Sequence, residues 1–306
     1  MATRITSEQR ETIVQFIAAR TRTVVDGLVL GADEAERVIA NADEVGQIVG
    51  EETRSVLRRL SVSAEYASEE FSDGRGYPVE YRGPAPIQEQ IIQIAELFGI
   101  SPAKTLRFVE QTLPRLELPN GAEGWFAIPK VDAIAGRHFK SVTNQNERYC
   151  RAALLGLKKL EESHQFASYR EGKITPDMFH QHARTIAMLE RIGKMQKGDI
   201  LVIPSQFGLR HAGRSVRRGR AVFSSSEFGH GTLAVGSMAF THPTRFTDCK
   251  HPLFPCCSGD EFKPAPAASF DNTPIFGRVN GGVKFFSVGA GQVTSFYSSV
   301  SGFVPE

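Results

Sequence analysis

The sequence predicts an α+β protein with a helical N-terminal half, including a possible helix-turn-helix, and a β-rich C-terminal domain. In the first half, apolar residues recur three and four positions apart behind residues that favour helix starts. The last 106 residues hold 13 of the 21 phenylalanines and are rich in Gly, Ser and Pro. We expect a helical domain over residues 1–116, a helical segment over 117–199 and a β-rich domain over 200–306.

Three helices are predicted before residue 72. Thr6 and Gln9 have the spacing of a capping box, and Asp33 and Glu36 repeat it. The apolar positions behind these starts are Ile13, Val14, Phe16 and Ile17 for the first helix, and Val38, Ile39, Ala42 and Val45 for the second. A third helix carries Val56, Leu57 and Leu60. The Gly- and Pro-rich residues 72–86 then predict a loop.

Residues 87–113 predict a helical hairpin that has features of a helix-turn-helix. Gly99 has the position of a C-cap, and Ser101 and Pro102 fit the start of a second helix. Inward positions are Ile92, Ala95 and Phe98 against Leu106 and Val109. Thr105 falls where a helix-turn-helix usually has an apolar residue, and Lys104 and Arg107 are its candidate nucleic-acid contacts. An ordinary αα-hairpin is the alternative.

The rest of the chain alternates predicted strands and helices. GWFAIPK, residues 124–130, predicts a short strand or a packed loop, and GDILVIP, residues 198–204, predicts a buried strand. A helix over 143–163 places Tyr149, Ala152, Ala153, Leu155 and Leu160 in the core. Thr175-Pro176-Asp177 predicts the start of a helix that runs to about Met195. Asn280-Gly281 predicts a hairpin turn.

Charge is unevenly distributed along a chain whose net charge is only +2. Residues 1–100 hold 10 basic and 17 acidic side chains, residues 101–200 hold 16 and 11, and residues 201–306 hold 10 and 6. An acidic first third beside a basic remainder indicates either internal docking or an anionic partner.

The segment LRHAGRSVRRGR, residues 209–220, contains five arginines and no acidic residue. A helix that began at Arg210 would align Arg210, Arg214, Arg217 and Arg218 on one face, with Arg220 close by. Gly213 disfavours a continuous helix, and one that began near Gly213 would still align Arg214, Arg217 and Arg218. Guanidinium groups bind phosphate or carboxylate through paired hydrogen bonds. These five arginines are therefore a candidate anion-binding site for nucleic acid or another phosphate-bearing ligand.

Two other interpretations of the arginine segment stay open: ion pairs with the acidic first third, and a solvated basic face. The anion-site interpretation requires that the arginines lack enough carboxylates in the same molecule. It loses its basis if Arg214, Arg217 and Arg218 each lie against an Asp or Glu of this chain.

A second chemical segment spans residues 241–262 and combines histidines, cysteines and acids. Its members are His242, Asp248, Cys249, His251, Cys256, Cys257, Asp260 and Glu261. The segment lacks the CxxC spacing of zinc sites, and adjacent cysteines point apart, so we predict no metal and leave open whether Cys249, Cys256 and Cys257 hold one. For an enzyme acting on a phosphorylated or nucleotide substrate, the candidates for proton transfer are His211, His242, Asp260 and Glu261.

The runs GDILVIPSQFGLRHAGRSVRR, EFGHGTLAVGSMAFTHPTRF and CSGDEF resemble those of a set of bacterial proteins of unknown function, mainly over residues 198–306. The resemblance implies no activity, fold or ligand, but it groups Gln206 to Glu261 as one unit.

We expect a non-enzymatic nucleic-acid or phosphate-anion binding protein of the cytoplasm, without a membrane partner. The alternatives are the enzyme described above and a protein–protein interaction module. The sequence specifies neither a cofactor nor an oligomeric state. Four cysteines in 306 residues do not form a disulfide framework.

Overall fold

The helices of the protein lie mostly in its N-terminal half and the sheets in its C-terminal half, which confirms the predicted α+β class. The computed structural model describes residues 6–71, 76–163, 166–168, 170, 172–247, 252–279 and 282–305. Contacts divide the chain into two units, Met1–Ser63 and Ala64–Glu306. The boundaries predicted near residues 116 and 200 both lie inside the second unit.

The first unit contains three helices, α1 (Ser7–Asp26), α2 (Ala32–Ala40) and α3 (Ala42–Ser61). The predicted capping box of Thr6 and Gln9 is confirmed. The cap predicted at Asp33 is wrong, because the carboxylate of Glu34 accepts the Gly31 N–H at 2.9 Å and α2 begins after Gly31. Asn41 then ends α2, and the predicted second helix is divided there.

The second unit begins its regular structure with the predicted hairpin, α4 (Ile87–Phe98) and α5 (Ala103–Gln111). Gly99 between them has φ 61°, the left-handed conformation that its predicted role as C-cap requires. Ile91 and Ile94 are fully buried, whereas Ile92 is 40% exposed. The predicted inward positions Ala95 and Phe98 are confirmed as buried, whereas Ile92 is wrong and Ile91 and Ile94 take the inward positions of that turn.

A four-stranded antiparallel sheet forms the centre of this unit. Its strands, in the order β1-β4-β11-β5, are β1 (Gly124–Pro129), β4 (Ile200–Gln206), β11 (Ser301–Phe303) and β5 (Glu227–Gly229). Both strands predicted from GWFAIPK and GDILVIP are present and pair with each other from Gly124 with Ser205 to Pro129 with Ile200.

A second sheet is built from the remaining strands of the C-terminal half and two short strands before it. These are β2 (Phe166–Ser168), β3 (Phe179–Gln181), β6 (Phe254–Cys256), β7 (Asp260–Phe262), β8 (Asn272–Val279), β9 (Gly282–Gly289) and β10 (Tyr297–Ser299). Val279 pairs with Gly282, so β8 and β9 form a hairpin with two intervening residues. The predicted Asn-Gly turn occupies those two positions, which lie outside the described residues.

Five more helices complete the unit. They are α6 (Val131–His138), α7 (Gln145–Ser163), α8 (Ala183–Met195), α9 (Val216–Ala221) and α10 (Thr232–Thr241). The helix start predicted at Thr175-Pro176-Asp177 is wrong. Phe179 is fully buried and pairs with Phe262, so residues 179–181 form β3, and α8 starts only after His182.

Helix α10 is the apolar centre of the fold. Nearly all its residues are buried, which fits a helix that is apolar on every side. It contacts α7, α4 and strand β1. Among the described residues, no helix combines the length and apolarity needed to cross a membrane.

Candidate functional site

The arginine segment folds as a short turn followed by a single helix, α9. Residues Leu209–His211 form the turn, and the hydroxyl of Ser215 accepts the Arg218 N–H at 3.1 Å to cap α9. Gly213 has φ 75°, so a helix cannot continue through it. Arg210 and Arg214 therefore do not share a helical face with Arg217 and Arg218.

An acidic loop, residues 64–71, covers this segment, and we call it the acidic strap. Both carboxylate oxygens of Glu69 lie 2.9 Å from Nε of Arg217. Glu70 pairs with Arg218 and lies 3.4 Å from Nε of Arg214. The backbone adds a bond of 2.8 Å from the Phe71 N–H to the carbonyl of Gly213.

The two remaining arginines are also paired within the molecule. Nε of Arg210 lies 3.2 Å from the carboxylate of Glu227. Arg220 lies 3.2 Å from the carboxylate of Glu261 and donates to the carbonyls of Ser258 and Asp260.

All five arginines thus have a carboxylate partner, and the premise that Arg210, Arg214, Arg217, Arg218 and Arg220 must find negative charge outside the molecule is wrong. Pairing with the acidic first third, one of the alternatives, describes Arg214, Arg217 and Arg218, whereas Arg210 and Arg220 pair with acids of the last third. Hydrogen bonds from Arg217 lower the pKa of Glu69, and the partners of Glu70 lower its pKa although burial opposes the shift.

His211 belongs to a closed network around Glu227. Its Nε2 donates to Glu227 at 2.8 Å, and its Nδ1 lies 3.2 Å from the Arg214 guanidinium, which only donates. His211 is therefore neutral, in agreement with a pKa that burial lowers. Both His211 and Glu227 are at most 1% exposed, so neither side chain is open to a substrate in this state.

His242 and Asp260 lie at opposite ends of α10. Asp260 accepts the Thr232 N–H at the first turn, whereas His242 follows the last residue of the helix. Ten residues of helix span about 15 Å at 1.5 Å per residue. These two proton-transfer candidates therefore do not converge on one site, contrary to what the predicted enzyme requires.

Each of the two residues has a structural role in its own surroundings. His242 Nδ1 contacts the carbonyl of Met238 at 3.0 Å, and its Nε2 accepts the Ala85 N–H at 2.9 Å. Burial lowers the pKa of His242 to about 4. Asp260 is fully buried, accepts the hydroxyl of Tyr149 at 2.6 Å, and has its pKa raised by burial to about 6.

Among the described residues, Cys256 and Cys257 do not form a group of ligands. Cys257 packs in the main core, whereas Cys256 packs in a second apolar cluster with Val216 and Ile275, so the adjacent side chains point apart as predicted. Asp248, Cys249 and His251 lie outside the described residues. Within the described part of the chain, no three histidines, cysteines or acids are placed to hold a metal ion.

The hairpin α4–α5 packs on the four-stranded sheet. Thr105 is buried in α5, and its hydroxyl donates to the carbonyl of Ile200 in β4 at 2.8 Å. This bond explains a polar residue at an inward position. Lys104 and Arg107 are exposed on the same helix; their binding to nucleic acid stays a prediction.

A pocket of about 280 Å³ lies beside α9, and we call it the arginine pocket. Its lining residues are Glu65, Tyr66, His182, Arg184, Arg217, Arg220, Ala221, Phe223, Gly229 and Ser258. Arg217 and Arg220 were predicted from the sequence, whereas Arg184 and His182 were missed. No local signal marks them, because strands and loops far apart in the sequence bring them to α9.

Arg184 differs from the other arginines of this pocket. It donates to the carbonyl of Ser224 and lies over the ring of Phe223, but within the described residues it forms no ion pair. Its Nε is buried and finds no hydrogen-bond acceptor among the described residues. Burial lowers the pKa of Arg184, and the charge of Glu227 opposes that shift.

Comparisons with protein-family models, with curated proteins and with solved structures find no match for this chain. The resemblance of residues 198–306 to bacterial proteins of unknown function therefore stays a prediction.

Proposed function

We propose that the protein binds a small phosphate-bearing molecule in the arginine pocket, without transforming it. The observation that carries the proposal is Arg184, a half-buried guanidinium without an ion pair in the described part of the chain. Burial without a counter-charge is unfavourable, and an anionic ligand would remove that cost. The main ligand contact is therefore Arg184 rather than the paired arginines of residues 210–220.

The surroundings of Arg184 support an anion rather than a neutral ligand. Arg217 and Arg220 line the same pocket, and their guanidinium groups stay charged at all ordinary pH values. The pocket also lies at the N-terminus of α8, where His182 is the cap and the helix dipole is positive. Glu69 and Glu261 offset two of the three arginine charges, so we expect modest affinity.

The size of the pocket favours a small ligand. A volume of about 280 Å³ is at the lower end of the range for small-molecule sites. Tyr66 and Phe223 present aromatic rings in the same pocket, and such rings stack on planar groups. A phosphomonoester or a mononucleotide meets these conditions, whereas a duplex would contact the pocket only through a terminal phosphate.

Isothermal titration with inorganic phosphate, ribose 5-phosphate and AMP tests the proposal. We expect Arg184→Gln to weaken binding by about tenfold or more, since a hydrogen bond to a charged group contributes about 1.5–3 kcal/mol. The matched control is Arg191→Gln, an exposed arginine on the same helix. Equal affinity of the two variants, or no binding by the native protein, would refute the proposal.

Nucleic acid is the other outcome of this experiment. A 5′-phosphorylated oligonucleotide that binds far more tightly than AMP, through exposed Lys104 and Arg107, would support the helix-turn-helix interpretation instead. Substituting both residues with Gln should then weaken oligonucleotide binding and leave AMP binding unchanged.

A role in protein–protein interaction is the second candidate, and the first unit favours it. Phe16 in α1 and Ile39 in α2 are 61% and 72% exposed, and Val29 between these helices is 99% exposed. Exposed apolar groups of this kind are typical of interaction surfaces when they are contiguous. Sedimentation of the full chain, compared with a Phe16→Ser, Ile39→Ser variant, tests whether these side chains mediate association.

A further inference from the structure

A cleft of about 780 Å³ separates α7 from α8 and shares no lining residue with the arginine pocket. Helix α7 contributes Tyr149 to one wall and α8 contributes Ile186 and Leu189 to the other. Its volume lies well within the range of small-molecule sites. The proposed phosphate site does not involve this cleft.

The base of the cleft is apolar. Ile128 of β1, Leu201 of β4, and Leu233 and Ala234 of α10 form it, and each is at most 5% exposed. An apolar surface of this kind holds water poorly, so an apolar ligand body gains free energy by covering it. The base therefore selects for a molecule that is largely hydrocarbon.

The polar residues that line the cleft near β3 include no lysine or arginine. Asn146 donates to the carbonyl of Phe179 at 3.1 Å, which brings the first turn of α7 to β3. Gln145 and Asn146 from α7, and His180 and Gln181 from β3, line the cleft there. Gln145, Asn146 and Gln181 are uncharged groups that can both donate and accept hydrogen bonds, and His180 lies beside them.

His180 presents a hydrogen-bond acceptor. Its Nδ1 lies 3.1 Å from the carbonyl of Gln181 and 3.6 Å from the carboxylate of Glu261, and both groups can only accept. In the uncharged form of the ring Nδ1 therefore carries the hydrogen, and Nε2 has a lone pair. A ligand with an O–H or N–H group can donate to that nitrogen.

The charged residues of the cleft are engaged elsewhere. Lys130 donates to the backbone carbonyls of Gly193 and Gln196, near the end of α8. Asp132, with a side chain 69% exposed, pairs with Arg148 at 3.1 Å. Glu190 and Lys194 are exposed and opposite in charge. The cleft therefore offers no concentrated charge for an ionic ligand.

We propose that the cleft between α7 and α8 binds an uncharged, largely apolar molecule whose hydroxyl or amine donates a hydrogen bond to His180. Its apolar body covers Ile128, Leu201, Leu233 and Ala234. Long-chain alcohols and neutral aryl amines belong to this class, whereas carboxylates of the same length do not.

The test uses 1-aminoanthracene, a neutral aryl amine whose fluorescence rises in apolar surroundings, with the full-length protein. We expect saturable binding and displacement by 1-decanol at concentrations at least tenfold lower than by decanoate. Absence of saturable binding, or tighter binding of decanoate, would overturn the proposal.

Two substitutions on α8 show whether the probe occupies the cleft. Ile186 lines the cleft and is 42% exposed, so Ile186→Trp fills the opening without disturbing the core. Ala187 is the next residue, is exposed and lies outside the cleft lining, so Ala187→Trp is the matched control. We expect the first to weaken probe binding at least tenfold and the second to leave it unchanged; equal effects would place the probe elsewhere.

The hydrogen bond is tested separately with His180→Phe, which keeps a planar ring against Phe270. The loss of one neutral hydrogen bond predicts a decanol affinity about three- to tenfold lower. Binding of decane-like probes without a donor group should not change. Equal losses for alcohol and hydrocarbon would show that His180 only shapes the cleft, and would overturn its assigned role. Arg184→Gln should leave all these values unchanged, which separates this site from the phosphate site.

Discussion

The guanidinium of Arg217 lies against the carboxylate of Glu69, 148 positions away in the sequence, with Nε at 2.9 Å from both carboxylate oxygens. Beside it, Glu70 contacts Arg218 and Arg214. The acidic strap thus supplies two carboxylates to three arginines of a segment that contains no acid of its own. These ion pairs hold residues 64–71 in place directly after the first unit.

The burial of each arginine predicts which strap carboxylate contributes more to stability. Arg218 is 8% exposed, whereas Arg217 is 48% exposed. We expect Glu70→Gln to lower the free energy of unfolding by about 1–3 kcal/mol, since it removes a carboxylate partner of a largely buried guanidinium. Glu69→Gln should cost less, because its partner is more solvated.

Urea unfolding of both variants at low and moderate salt provides the measurement. Increased salt should reduce the effect of Glu69→Gln more than that of Glu70→Gln, because ions screen exposed pairs more strongly. A larger loss for Glu69→Gln would show that burial does not govern these pairs.

The lowered pKa of Glu227 predicts that the folded protein loses stability in acid. Hydrogen bonds from His211 and Ser301 and the charge of Arg210 outweigh burial and lower its pKa to about 2, from 4.5 in the unfolded chain. A lowered folded-state pKa gives stability that is complete above about pH 4.5 and is lost as the pH falls toward 2.

The matching variant is Glu227→Gln, which cannot titrate. Its unfolding free energy should lie furthest below that of the native protein at pH 5 and above, and the difference should shrink as the pH falls toward 2. Chemical unfolding at several pH values measures this difference. A gap that is independent of pH in this window would contradict the assignment.

The sequence predicted those features that depend on neighbouring residues. The cap at Thr6, the glycine at position 99 and the β8–β9 hairpin each follow from side chains within a few positions. Glu69 and Glu227 were not predicted as partners of the arginines, because such pairs depend on how distant segments meet. The strand Phe179–Gln181 likewise depends on β7, and the local signal of Thr175-Pro176-Asp177 favoured a helix instead.

Thr105 supports the interpretation of α4–α5 as a packed hairpin. Its buried hydroxyl donates to the carbonyl of Ile200 at 2.8 Å, which fixes α5 on the sheet. Thr105→Val retains the shape but removes the donor, so we expect a loss of about 1–2 kcal/mol in the free energy of unfolding. Thr105→Ser retains the donor and serves as the control. If thermal unfolding shows that Thr105→Val is more stable than the native protein, this bond does not have the proposed role.

The raised pKa of Asp260 predicts that its contribution to stability changes with pH in the opposite direction to that of Glu227. Burial raises its folded-state pKa to about 6, from 3.8 in the unfolded chain, although Thr232 and Tyr149 donate to it. Between these two values the folded protein binds more protons than the unfolded chain, so this group makes stability fall as the pH rises from about 4 to 6. The full change is about 3 kcal/mol.

Asp260→Asn removes the titration and keeps an oxygen acceptor for Tyr149. The native protein should therefore lose stability relative to this variant across that interval, and chemical unfolding at pH 4, 5, 6 and 7 measures it. If the difference between the two proteins stays constant, Asp260 is ionised throughout, and the bonds from Tyr149 and Thr232 compensate its burial completely.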